Sequence, residues 1–205
     1  DSEVVEKHKR LEDELAIAST DLPEASSIEG EHVIGKWQGP ILVVDPQKYS
    51  ITGNLTISAR IRTKQAVTDI LSKYDWLGGQ RSYVFGVGGE GDKDSVPGHL
   101  FFWVSSSAES FNGVTVYGSR PVNDGKEHLV AVEFVAGKSV RLFIDGIEDK
   151  GARVSGDPPP FIAKSSRPLA IGAGYNNSPK ANAYRFEGEL SEVRLSDRAL
   201  GKQIS

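Results

Sequence analysis

Residues 127–146 read Glu127-His128-Leu129-Val130-Ala131-Val132-Glu133-Phe134-Val135-Ala136-Gly137-Lys138-Ser139-Val140-Arg141-Leu142-Phe143-Ile144-Asp145-Gly146. Val130, Val132 and Phe134 alternate with Leu129, Ala131 and Glu133. Val140, Leu142 and Ile144 alternate with Ser139, Arg141 and Phe143. A period of two is the pattern of strands with one face turned inward. Ala136-Gly137-Lys138 closes the two runs into a hairpin, and Asp145-Gly146 is a turn dipeptide after the second.

The same period recurs on both sides of this hairpin. Leu55, Ile57, Ala59 and Ile61 alternate with Thr56, Ser58, Arg60 and Arg62; Tyr83, Phe85 and Val87 alternate with smaller residues; Leu100, Phe102 and Val104 alternate with Phe101 and Trp103. The 22 Gly and 10 Pro supply turns between the runs. No helical period of about ten residues separates them, which argues against a parallel βαβ arrangement. About ten or more antiparallel strands must close into two packed sheets or a barrel.

Composition narrows the function classes. The chain of 205 residues carries a net charge of −4, which argues against a nucleic-acid partner held by phosphate neutralisation. No apolar run approaches the roughly 18 residues of a membrane-spanning helix. There is no Cys, which excludes disulfides, thiolate catalysis and Cys-ligated metal centres. There is also no Met, so a processed mature protein or a piece of a longer chain is expected.

Residues 1–27 differ from the rest and are read as a separate N-terminal helix and linker ahead of a domain at 28–205. Val4, Leu11, Leu15 and Ala18 share one helical stripe, and Ser19, Thr20, Asp21 and Pro23 end it. A lone helix of this length is marginal, so its stripe is expected either to pack on the main domain or to continue a helix upstream.

The hairpin, with Leu55–Ile61, Ile70-Leu71-Ser72-Lys73, Leu169–Gly174 and Phe186–Leu195 in order, resembles the laminin-G-like domains of the concanavalin A-like jelly rolls. The resemblance implies an all-β, two-sheet antiparallel jelly-roll sandwich over about residues 31–200. It departs from the family pattern at three places. Glu127 and Arg60 stand where relatives often have Trp, and Ser191 stands where the closing strand usually has Asp. The resemblance implies a single structural calcium; Ser191 weakens that implication, because a hydroxyl is a poor substitute for a carboxylate on a hard cation.

Glu187, Glu189 and Glu192 form an E-x-E-x-x-E run similar to that of laminarinase-type glycosidases, in which two carboxyls serve as acid and nucleophile. Phe186 and Leu190 share one parity and Val193 and Leu195 the other, so a bulge near Ser191 is expected, with the acids turned to solvent. His128 alternates with Val130 and is read as a half-buried strand histidine. The scattered His8, His32, His99 and His128 share no ligand spacing, and no metal ligand is assigned.

Aromatic residues are the better lead. Phe101, Trp103 and Tyr117 are expected on an outer, concave sheet face near Arg60 and Arg62. Two loops read as polar and aromatic: 73–82, with Asp75, Trp76 and Arg81, and 174–184, with Tyr175, Asn176 and Asn177. Aromatic faces beside amides and charges suit sugar rings, which stack and accept directed hydrogen bonds. The expected function is a non-catalytic binding or adhesion module of a secreted or surface protein. Its expected ligand is a glycan at Trp76, Asp75, Arg81, Trp103, Tyr117, Tyr175, Asn176 and Asn177. The alternative is a structural accessory domain packed against a neighbouring domain of the same larger chain, and the third reading is a glycan hydrolase or lyase. Exposure of Trp76 or Trp103 separates the first two readings.

Overall fold

The computed structural model describes residues 41–43, 49–89, 93–175 and 183–199. Within them lie β1 (Ile41–Val43), β2 (Leu55–Arg62), β3 (Thr68–Asp75), β4 (Gln80–Val87), β5 (His99–Ser105), β6 (Gly113–Pro121), β7 (His128–Val135), β8 (Ser139–Ile144), β9 (Ile147–Glu148), β10 (Arg153–Ser155), β11 (Leu169–Ile171) and β12 (Glu189–Ser196). They form a seven-stranded sheet in the order β1-β11-β3-β4-β5-β6-β10 and a five-stranded sheet in the order β12-β2-β7-β8-β9. All pairings are antiparallel, as the alternation requires. The expected helix at 1–27 lies outside the described residues.

The core sits between the sheets. Ile57, Ile61, Val130, Val132, Phe134 and Leu142 of the smaller sheet meet Tyr83, Phe85, Phe102, Val104, Val114 and Val116 of the larger. Each fully buried side chain of this size contributes about 1.5–3 kcal/mol, so the fold rests on apolar burial without any covalent staple. The central hairpin forms as read, with Val132 opposite Leu142 and Phe134 opposite Val140. Its turn holds Gly137 at φ 67°, and Asp145-Gly146 follows at φ 54° and 72°. Both central residues at positive φ define the primed hairpin turn that matches the sheet's twist.

The closing strand bulges where its parity breaks. The register of β12 against β2 shifts between Ser191 and Arg194, with Glu192 at φ 48°. That extra residue lets Leu190, Val193 and Leu195 all face the core.

Two local expectations are corrected. Arg60 and Arg62 do not approach Phe101 and Trp103: they belong to β2, in the opposite sheet. There Arg60 pairs with Glu192 at 2.9 Å and Glu127 at 3.3 Å, and Arg62 with Glu189 at 3.5 Å. Residues 73–82 are not a long loop either. β3 runs to Asp75 and β4 starts at Gln80, leaving a tight turn at 76–79.

Candidate functional site: an aromatic groove on the larger sheet

Strand alternation on β4, β5 and β6 sends every second residue away from the core. Register aligns Val84 with Trp103 and Thr115, and Gly86 with Phe101 and Tyr117. On β3 the register shifts between Asp69 and Leu71, so Ile70 and Leu71 both enter the core. Asp69, Ser72 and Tyr74 are thereby left on the outer face, beside Val84, Phe101 and Trp103. These residues, with Trp76, Phe111, Tyr175 and Tyr184, line a groove of about 880 Å³.

Aromatic rings form a continuous wall. Phe101 lies 5.1 Å from Trp103 between ring centres, Tyr74 5.8 Å from Trp103, Trp76 6.4 Å from Trp103, and Phe111 6.1 Å from Trp76. These are the tilted and edge contacts that aromatic quadrupoles favour. Trp76 keeps 49% of its surface exposed, while Tyr74 and Phe101 are buried.

Of the eight residues expected at the site, Trp76, Trp103, Tyr117 and Tyr175 line this groove together. Asn176 and Asn177 lie outside the described residues. Asp75 is inaccessible: its carboxylate takes hydrogen bonds from Arg167 Nη2 at 2.5 Å and Nε at 3.1 Å and from the Gly78 amide at 3.0 Å. Arg81 is also spoken for. It donates to the carbonyls of Trp76 at 2.6 Å and Ala108 at 3.1 Å, and to that of Glu109. Asp75 and Arg81 therefore fix the β3–β4 turn that carries Trp76, rather than presenting charge to a ligand.

Tyr175 stands under the Arg167 guanidinium, 5.3 Å from ring centre to guanidinium carbon, and donates its hydroxyl to the Pro168 carbonyl at 2.9 Å. Burial pushes that hydroxyl up to about 12, against the pull of Arg167. Tyr117 is covered in the same way by Arg153, at 5.1 Å.

Two buried polar atoms of the groove, the Trp103 Nε1–H and the Tyr74 hydroxyl, have no hydrogen-bond partner among the described residues, and the buried Asp69 carboxyl faces the same groove. Burial pushes the Tyr74 hydroxyl up; the nearby Arg81 guanidinium opposes this without a well-formed hydrogen bond. Desolvation holds the Asp69 carboxyl well above the usual carboxylate range. Sequence reading missed Asp69, Tyr74, Phe111 and Tyr184. An acid inside the apolar run Thr68–Leu71 was the available signal, but only the bulge assigns its face.

The calcium donors implied by the resemblance do not fit here. Ser191 sits opposite Arg60, and the adjacent acids Glu189 and Glu192 face Arg62 and Arg60. Guanidinium groups occupy the lone pairs that a hard cation would need. His128 is bound on both ring nitrogens, by Asp145 at 2.8 Å and Asp124 at 3.1 Å.

Two antiparallel sheets with an aromatic groove on the outer face of the larger one place the chain among the concanavalin-type sandwiches. The chain belongs to the concanavalin A-like lectin/glucanases superfamily, whose family profile matches residues 38–203. No curated protein sequence matches it. Among solved structures it is similar to the Ruminococcus gnavus IT-sialidase CBM40 bound to α2,3-sialyllactose, at 16% identity and TM-score 0.59 over 88% of this chain and 95% of that one. Mouse laminin α1 domains LG4-5 are similar at 19% identity and TM-score 0.58, over 85% of this chain and 46% of that one. The SAP-like pentraxin of Limulus polyphemus is similar at 15% identity and TM-score 0.51, over 87% and 79%. At these identities the likeness is one of fold.

Proposed function

We propose that the domain is a non-catalytic binding module of a secreted or surface protein, and that it takes a glycan in the aromatic groove. The observation that carries this reading is the half-exposed Trp76, continuous through Trp103 with Tyr74 and Phe101 along a groove of about 880 Å³. An indole held in water above a prebuilt cleft marks a binding surface, and a concave one suits a ligand that enters it. The similar R. gnavus module, described as bound to sialyllactose, supports a sugar ligand for a sandwich of this kind.

The acid run supports a non-catalytic role. Glu187 and Glu189 are exposed, and Glu192 is held by Arg60 and Arg194 on the smaller sheet. None of the three lines the groove, so this run does not supply an acid and a nucleophile to a sugar bound there.

A shallow, prebuilt cleft should bind in the range of about micromolar to millimolar. The test is a glycan array followed by titration calorimetry with wild type and Trp76→Ala. A hit on the array with at least several-fold loss in the variant supports the reading. Absence of binding to every glycan favours the accessory-domain reading.

A further inference from the structure

We infer that Asp69 is the polar anchor of the groove, binding two adjacent hydroxyls of an uncharged pyranose. This rests on the glycan reading above and adds to it the chemical class of sugar and the residue that selects it.

Position comes first. Asp69 stands in the cross-strand row Asp69–Gly86–Phe101–Tyr117, at the opposite end of β3 from Trp76. Gly86 lets the Phe101 ring lie over its strand towards the carboxyl: a Cβ there would come within 2.7 Å of Phe101 Cε1. The chain thus sets the edge of the aromatic wall next to a carboxyl, while the half-exposed Trp76 ring at the other end of β3 offers the face on which a sugar can stack.

The state of the carboxyl comes second. Asp69 is 6% exposed, and no described residue donates a hydrogen bond to it. Its backbone amide is used elsewhere, on the Tyr184 carbonyl at 2.9 Å. Such a group costs stability unless something supplies its missing partners. Two neighbouring hydroxyls are a matched set, because the hydrogen bonds they donate favour the ionised form that burial opposes, and a carboxylate accepts more strongly than a neutral acid. The Trp103 Nε1–H and Tyr74 hydroxyl lie buried and unpaired further along the same groove.

Charge comes third. An acidic sugar would draw on a cation, and the two guanidinium groups beside the groove give their terminal N–H groups to the protein itself. Arg81 is held by three carbonyls, and Arg153 is held by the Asp94 carbonyl at 2.6 Å and carboxylate at 3.3 Å. Lys93 is exposed at the rim, where solvent and salt screen it. A sugar carboxylate near Asp69 would oppose the ionisation that hydroxyl donors favour.

The experiment titrates the full chain with lactose, maltotriose, cellotriose, mannotriose and 3′-sialyllactose, using wild type, Asp69→Asn and Trp76→Ala, with thermal melting alongside. At least one neutral sugar is expected to bind, at least as tightly as sialyllactose. Asp69→Asn should weaken it by about tenfold or more while raising the melting temperature, because the isosteric amide sheds a buried acid. Monodeoxy analogues of the bound sugar read the same contact from the ligand side and should lose affinity when either of two adjacent hydroxyls is missing. Neutral-sugar binding unchanged in Asp69→Asn, or a preference for 3′-sialyllactose over every neutral sugar, would overturn the anchor while leaving a glycan site in place. No binding of any sugar by wild type overturns the glycan reading itself.

Discussion

The Arg81 guanidinium lies against the Trp76 indole, 4.9 Å from guanidinium carbon to ring centre, and the same group donates to the Trp76 carbonyl at 2.6 Å. One side chain therefore fixes both the backbone and the ring of the most exposed aromatic in the groove. Lysine cannot do both, since an ammonium lacks the planar fork. Arg81→Lys should weaken glycan binding several-fold and cost about 1–3 kcal/mol of stability through the unmet carbonyls. Titration and chemical denaturation check the two effects; loss of stability with unchanged affinity would detach Trp76 from the site.

Trp76 and Trp103 should separate in mutagenesis. Trp76 is half exposed, so Trp76→Ala should leave the melting temperature nearly unchanged while lowering affinity by about 1–3 kcal/mol. Trp103 contacts Tyr74, Trp76 and Phe101, so Trp103→Ala should lower both affinity and stability, the latter by about 3 kcal/mol. Parallel melting curves and titrations distinguish the pair.

Gly86→Ala tests the groove floor. A methyl there would collide with the Thr68 carbonyl and come within 2.7 Å of Phe101 Cε1. Backbone cannot yield cheaply, so a loss of about 1–3 kcal/mol is expected from overpacking. An unaltered unfolding midpoint in urea would show that the sheet relaxes here more easily than its pairing implies.

His128 makes stability depend on pH. Its hydrogen bond to Asp145 holds the imidazolium above the usual histidine range, burial works against this, and Asp124 adds to the rise. A folded value above the unfolded one, about 6.5, means that stability is fully present below about 6.5. It is lost as pH rises through the folded value. Melting temperature should therefore decline as pH rises above about 6.5, and His128→Gln should flatten that decline.

Chelation should change little. With Arg60 and Arg62 facing the acids around Ser191, EDTA is expected to shift the melting temperature by no more than a few degrees. A drop of tens of degrees would reveal calcium ligands other than this set.

The fold was legible wherever alternation was regular. Val130 to Ile144 predicts its own hairpin, and the parity clash between Leu190 and Val193 predicts its own bulge. Alternation assigns a residue to a face but not to a sheet, so Arg60 and Arg62 were expected beside aromatics that lie on the opposite layer. Polar spelling also misled at Asp75. An acid next to Trp76 looks available to a ligand until Arg167, 92 positions along the chain, is found closing on it. Asp69 escaped for the converse reason. Its outward aim depends on a second bulge, and the flanking Thr68, Ile70 and Leu71 keep no period that would mark one.

The groove floor is built on β3, β4 and β5, the middle strands of seven, each bonded along both edges. Their amides should exchange with solvent only through global opening, while three-residue border strands such as the exposed β10 open locally and often. A surface set into the slowest-exchanging part of the molecule meets its ligand already ordered. Little entropy is then left to lose on contact, and variation in what is bound must come from the turns along the rim rather than from the platform beneath them.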